Sequence, residues 1–338
     1  MSAPQGDKIY DEGQMEDIQR KYDLIIVDSV NLAYRTFKQK GETPLQLSKK
    51  SIYRDSVCKF IDTVTELEDK YLKRGGQVYF LFDNYFSKAD LRTTYMFADR
   101  RKIEESYKAT RKKNTREFYN SINFLRYYYL IGPSRYHTLR VDGLEADDLV
   151  EPLMRKLGVK GSEIKALMVT TDEDWARYLL PNVDWIPDFS QGPENIRGFE
   201  DRKGYYPTKK GVILYKSIFG DPSDNIKSLV PFNDSTLKAF LEILGMIDNQ
   251  SSLEMLILES RDKTLRETNP ILKVISQNEK AFISNIQLVS PIPCGMDVIN
   301  QSLTSGRDDS TLYHTVRGAI GLDASKEFVF GNIKRSKA

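Results

Sequence analysis

Apolar positions along this chain follow two rhythms. Four short stretches are nearly continuous runs of β-branched and aromatic residues: YDLIIVDS (22–29), QVYFLFD (77–83), EIKALMVTTDED (163–174) and NVDWIP (182–187). Runs so short and so apolar read as strands buried on both faces. Between them the spacing turns helical. Residues 50–73 bring Ile52, Phe60, Ile61, Val64, Leu67 and Tyr71 to one face, with Gly75 and Gly76 as the expected stop. A second helix is expected around 116–131, ending at Gly132. A third starts within GLEADDLV (143–150), where Leu149, Val150, Leu153, Met154 and Leu157 share a face. Pro152 falls inside that helix, removes the hydrogen bond to the Asp148 carbonyl and is expected to kink it. After about residue 208 the pattern is helical, with no strand expected. Strands alternating with helices imply an α/β fold with a parallel sheet. The expected division is a polar, disordered arm over 1–20, an α/β core over 21–207 and a helical C-terminal region over 208–338.

Composition narrows the class. At 338 residues, 29% charged and 40% hydrophobic, the chain has an ordinary globular balance and enough length for a large core. No apolar run is long enough for a bilayer, and the polar N-terminus has no signal-peptide core, so no membrane role is expected and a cytoplasmic location is. Cys58 and Cys294 are the only cysteines, and His137 and His314 the only histidines. A zinc site built on His and Cys is therefore nearly excluded, and any metal must be held by oxygen, which favours Mg²⁺, Mn²⁺ or Ca²⁺. Net charge is only +2, but it is unevenly spread. Residues 88–116 carry ten Lys and Arg against four acids, net +6, which leaves −4 for the remainder. A basic segment beside an acidic remainder points to a polyanion partner, although a solvated basic helix has the same composition.

Glu145, Asp147 and Asp148 crowd three carboxylates into the first turn of a helix that must bury its other face. Acids there suit the helix dipole by roughly 0.3–1 kcal/mol each, so the motif alone needs no function. Other acids change that reading. Asp28 ends the first strand, Asp83 the second, and Asp172 and Asp174 follow the third, while GDPSDN (220–225) adds Asp221 and Asp224. In an open parallel sheet the carboxyl ends of the strands share one edge, where ligands bind. Nine carboxylates on one edge cannot all stay ionised without counter-charge. Divalent ions resolve the conflict, and two ions roughly 3.5–4 Å apart form the usual two-metal phosphodiester site.

Six segments in this order then resemble the 5′ nuclease family of flap endonucleases and 5′→3′ exonucleases, with a PIN-like core, and in particular its bacteriophage replication RNase H and exonuclease branch. They are LIIVDSVNLAYR (24–35), FLFDN (80–84), YKATR (107–111), GLEADDLV (143–150), TTDEDWARYL (170–179) and GDPSDNI (220–226), spanning about two-thirds of the chain. The resemblance implies two Mg²⁺ or Mn²⁺ ions. It puts Asp28, Asp83, Glu145 and Asp147 around the first and Asp172, Asp174 and Asp221 around the second. Asp147 lies near both, and Asp148 and Asp224 stand further out. It implies a helical arch over 86–118 in which Lys108 and Arg111 grip the scissile phosphate. Cations interleaved with aromatic rings suit single-stranded nucleic acid. Tyr107 is therefore expected to stack on a base, and Arg100, Arg101, Lys112 and Lys113 to contact the backbone.

The function implied is metal-dependent, structure-specific cleavage of DNA and RNA–DNA duplexes bearing 5′ flaps or ends. Its products carry 5′-phosphates, and its use is RNA-primer removal during replication. A monomer working with a single-strand-binding protein, a polymerase or a clamp is expected. One departure stands out. The family's glycine-rich hairpin after GDxSDNI is replaced by KSLVPFNDSTLKAFLEILG (227–245), a degenerate duplex-binding element near 212–245 in which Asp234 or Ser235 is expected to cap the helix. Two other readings remain: a PIN-type ribonuclease acting on single-stranded RNA, and a non-catalytic nucleic-acid-binding protein on the same fold.

Overall fold

The computed structural model describes residues 21–37, 41–47, 50–83, 103, 114–247, 253 and 255–322. The segments of chain that bear the functional acids hang from one six-stranded sheet. Its strands are β1 (Tyr22–Asp28), β4 (Leu72–Leu81), β5 (Tyr136–Leu139), β6 (Ala166–Val169), β7 (Val183–Ile186) and β8 (Leu303–Ser305); β2 (Leu45–Leu47) and β3 (Lys50–Ile52) form a separate hairpin. The order is β7-β6-β1-β4-β5-β8, parallel throughout except for the antiparallel edge strand β8. The helices are α1 (Ser29–Thr36), α2 (Arg54–Tyr71), α3 (Arg116–Ile131), α4 (Ala146–Lys156), α5 (Ile196–Lys203), α6 (Lys209–Phe219) and α7 (Asp234–Ile247). They continue with α8 (Met255–Glu259), α9 (Lys263–Thr268), α10 (Pro270–Gln277), α11 (Glu279–Val289), α12 (Met296–Ser302) and α13 (Ser310–Ala319).

The all-apolar strands have a simple cause. Successive side chains of a strand point to opposite faces, and both faces of this sheet are covered. Leu24, Ile26 and Met168 pack with α4, α6, α7, α8 and α10 to α12. Ile25, Val27, Leu167 and Val169 pack with α2 and α3 on the other side. The expected mixed α/β architecture with a mostly parallel sheet is therefore the observed one, and among the described residues no helix is long and apolar enough to cross a membrane.

Local expectations fail where short polar segments are recruited by tertiary pairing. β5, sequence YHTL, and β8, sequence LTS, lack the long apolar run that marks the other strands; each is held by its ladder to a neighbour. The expectation of no strand after 208 is thus corrected by β8. Gly75 and Gly76 do not stop α2, which ends at Tyr71 and passes directly into β4. They serve the strand instead. Gly75 takes a left-handed φ of +82°, and a Cβ on Gly76 would lie 2.9 Å from the Asp23 carbonyl, at the register irregularity between β1 and β4. The cap of α7 is neither Asp234 nor Ser235 but Asn233. Its N–H donates to the Thr236 hydroxyl and its side-chain oxygen accepts from the Thr236 N–H, both at 3.0 Å. α4 runs as one helix through the buried Pro152. Of the segment 86–118 expected to form an arch, only Ile103 and residues 114–118 are among the described residues.

Candidate metal centre

Parallel register gathers the acids. β1 pairs with β4 and β6 so that Val27 lies level with both Phe80 and Val169. The residues that leave those strand ends are Asp28, Asp83 and the stretch Thr170–Asp172. Each acid is aimed by a local hydrogen bond. Asp28 caps α1, one oxygen accepting from the Asn31 N–H at 3.0 Å and the other from the Thr170 hydroxyl at 3.1 Å. Asp172 caps the 3₁₀ turn Glu173–Tyr178 by accepting from the Asp174 N–H at 3.0 Å. Asp83 accepts from the Ala146 N–H at 2.7 Å and so ties the end of β4 to the start of α4.

At that start the Glu145 N–H donates to Asp148 Oδ2 at 3.0 Å, and Asp148 Oδ1 accepts from the Ile292 N–H at 2.6 Å. Both Asp148 oxygens therefore anchor backbone, one of them in the segment after α11. Asp221 sits in a loop closed on itself by two 2.9 Å backbone bonds with Ile226. Gly220 makes that closure feasible: its φ is +79°, and a Cβ there would meet the Ser228 nitrogen at 2.6 Å.

Among the described residues two carboxylate triads are compact enough to hold an ion. Oxygens of Glu145, Asp147 and Asp148 lie within 4.8 Å of one another, and so do oxygens of Asp174, Asp221 and Asp224. Asp28, Asp83, Asp172 and Asp221 line a groove of about 980 Å³, whose walls also include Tyr34, Arg35, Tyr215, Phe219 and Phe232.

Two cations that the sequence reading passed over are buried among these acids. Lys216, on the apolar face of α6, contacts Asp174 Oδ1 and lies 2.8 Å from Asp221 Oδ2. Arg177, whose side chain is 0% exposed, sits 3.3 Å from Asp147 Oδ2 and 3.4 Å from Asp174 Oδ2, and so joins the two triads. Its other donors reach the Asp174 carbonyl at 2.6 Å and the Val289 carbonyl at 2.9 Å. The available signals were modest: a lysine within the apolar run VILYKSIF, and an arginine three residues after Asp174.

Electrostatics agree that positive charge is short among the described residues. Burial, and then the neighbouring Asp83, push the Asp28 carboxyl well above the carboxylate range. Burial and Asp174 push Asp172 up to about 7, even with Lys216 nearby. Burial would raise Asp221 as well, but the charge and hydrogen bond of Lys216 together with the Ser223 hydrogen bond hold that carboxyl below its ordinary value. Among the described residues two buried cations do not balance nine acids, and the donors are all hard oxygens. The arrangement fits divalent cations of the Mg²⁺ or Mn²⁺ kind.

Tyr107, Lys108, Arg111, Lys112 and Lys113 lie outside the described residues, as do Arg100 and Arg101. The structure brings all nine expected acids to one edge and leaves the basic segment to the sequence argument.

Residues 23–200, just over half of the chain, match the model of the 5′-3′ exonuclease N-terminal resolvase-like domain. The chain belongs to the 5′-3′ exonuclease family. It is 27% identical to a 5′-3′ exonuclease of Buchnera aphidicola over 279 residues, 78% of this chain and 85% of that one. It is 24% identical to the flap endonuclease Xni of Shewanella halifaxensis, covering 59% of this chain and 73% of that one. DNA polymerase I of Bacillus caldotenax is 25% identical over 73% of this chain, which spans only about a quarter of the polymerase. In fold it is similar to the bacteriophage T5 5′-exonuclease solved with zinc ions, at a TM-score of 0.54 and 18% identity over 88% of this chain and 98% of that one. Family membership and fold together make this a nuclease scaffold whose acidic clusters could hold metal.

Proposed function

We propose that the protein is a 5′→3′ exonuclease and flap endonuclease that requires two divalent ions, Mg²⁺ or Mn²⁺, and leaves 5′-phosphates. Its task on this reading is RNase H-type removal of RNA primers and 5′ flaps during DNA replication. The observation that carries the reading is the convergence of nine carboxyl groups on one strand edge, opening on a groove walled by aromatic and basic side chains. A T5 flap endonuclease of the same fold has been crystallised with DNA and metal ions, which supports a DNA substrate here.

Asp28, Asp83, Glu145 and Asp147 would hold one ion and Asp172, Asp174 and Asp221 the other, with Asp148 and Asp224 steadying their neighbours. Ions bound there supply Lewis-acid polarisation of the phosphodiester and a nucleophile at neutral pH. Arg177 keeps the two carboxylate sets at fixed spacing, since it is bonded to both. Lys216 holds Asp174 and Asp221 together on the second side. Lys108 and Arg111 are proposed to grip the scissile phosphate from the arch, where a point charge and a guanidinium fork stabilise the charge that develops in the transition state. Tyr107, Arg100, Arg101, Lys112 and Lys113 would hold the single strand.

The proposed protein works as a monomer in the cytoplasm. The DNA polymerase I relatives, in which such a domain is part of a longer chain, favour a polymerase among its partners, with a single-strand-binding protein or clamp as further candidates.

The test is product mapping on 5′-labelled flap, nicked and RNA-primed duplexes with Mg²⁺ and with EDTA. Mg²⁺-dependent cuts at the 5′ junction are expected, and Asp172→Asn should abolish them while duplex binding survives. Cleavage of unpaired RNA alone would favour the PIN-type ribonuclease. Cleavage by Asp172→Asn within about tenfold of wild type, about 1.4 kcal/mol of barrier, would remove Asp172 from the ligand set.

A further inference from the structure

We propose that Phe232 is a nucleobase-stacking subsite on the wall of the groove, taking the ring of an unpaired or terminal nucleotide; this rests on the nuclease reading above. A single exposed apolar side chain is common and by itself means little. Three observations set this one apart. Its ring is 57% exposed and lines the same groove as Asp28, Asp83 and Asp172. It rests edge-on against Phe219 at 5.3 Å and lies 6.1 Å from Tyr215, so aromatic neighbours support it from behind.

Its backbone is also fixed on both sides. The Thr236 hydroxyl donates to the Pro231 carbonyl at 2.8 Å, and Asn233 is locked into the cap of α7. An aromatic ring held open to solvent by bonds on either side is already in place for a planar ligand, with little ordering entropy left to lose.

Directly beside the ring the backbone offers a phosphate little: Pro231 has no N–H, and the Asn233 N–H is used by Thr236. What the turn presents is a ring in a groove that Arg35 and Lys203 also line, the first bonded to Thr171 and the second paired with Glu173. Cations for phosphate and a ring for the base are what a single strand requires, and stacking tolerates any sequence because every base has a π-face.

The experiment measures equilibrium binding of a 5′-flap DNA duplex in an Asp172→Asn background, after cleavage by the wild type has been scored. Phe232→Ala should weaken binding about 5- to 150-fold, the range of losing one base–aromatic stack. Phe232→Trp should keep it and Phe232→Leu should not. The slope of log affinity against log salt should stay unchanged, because no phosphate contact is lost. A 2-aminopurine at the flap base should lose fluorescence quenching in the alanine variant. The exposure of Phe232 predicts normal folding, checked by the melting temperature.

Affinity within about twofold of the parent, an equal rescue by leucine, or a flattened salt slope would each overturn the stacking subsite. A wild type that binds flaps through Phe232 but never cuts them would instead sink the nuclease reading and leave the subsite standing. A wild type that neither binds nor cuts would sink both.

Discussion

At the scale of single residues the site is a problem of charge, and Arg177 is the clearest part of its solution. The guanidinium is wholly buried, spans Asp147 and Asp174, and uses its remaining donors on two backbone carbonyls. Removing one member of a buried ion pair leaves its partners uncompensated and costs roughly 3–5 kcal/mol. Arg177→Met is therefore expected to lower stability in EDTA by roughly 3 kcal/mol, and Mg²⁺ should restore part of the loss by supplying the missing charge. Urea unfolding of both proteins, with and without Mg²⁺, decides it. Unchanged stability in EDTA would mean that the acids do not depend on this cation. Asp148 illustrates the opposite case: an acid in the most conspicuous motif of the sequence whose two oxygens anchor backbone.

At the scale of elements, α2 is fastened to β5 by a buried carboxyl. Glu68 accepts from the Tyr136 hydroxyl at 2.9 Å and lies 3.4 Å from Arg135. Burial pushes the Glu68 carboxyl up to about 7, and Arg135 and Tyr136 recover only part of the shift. The folded protein therefore keeps this proton to a higher pH than the unfolded chain does. The resulting stabilisation is complete below the ordinary value of 4.5 and is lost as pH rises towards about 7. Glu68→Gln is neutral at every pH and escapes that loss. Melting temperatures at pH 5, 6, 7 and 8 should show the gap between variant and wild type moving in the variant's favour as pH rises. A gap independent of pH would place the Glu68 titration outside this window. The same contact explains why β5 was hard to read: it is held by partners on α2, β4 and β8, not by the pattern of its four residues.

At the scale of the whole molecule, nine acids on one edge make ion binding a folding matter. Any ion that binds the folded chain and not the unfolded one stabilises it by mass action, about 2.7 kcal/mol at a hundredfold excess over Kd. Mg²⁺ is therefore expected to raise the melting temperature in a saturable way, and Asp83→Asn should blunt the rise. A melting temperature indifferent to Mg²⁺ and Mn²⁺ would remove the metal from the proposed mechanism.

The chain's own pattern determined strands β1, β4, β6 and β7, helices α2, α3 and α4, and the acids that belong together. Each is written locally, in apolar runs, in 3.6-residue spacing and in acids at strand ends. β5, β8 and the Gly75–Gly76 bulge were decided by tertiary structure, because each exists only through pairing with distant chain. So were Arg177 and Lys216. A cation in a sequence declares its charge but not its burial, and these two matter because the fold removes them from water between acids that lie elsewhere in the chain. Phe232 follows the same rule: its type is plain in the sequence, and only packing against Phe219 and the cap at Asn233 turn it outward into the groove.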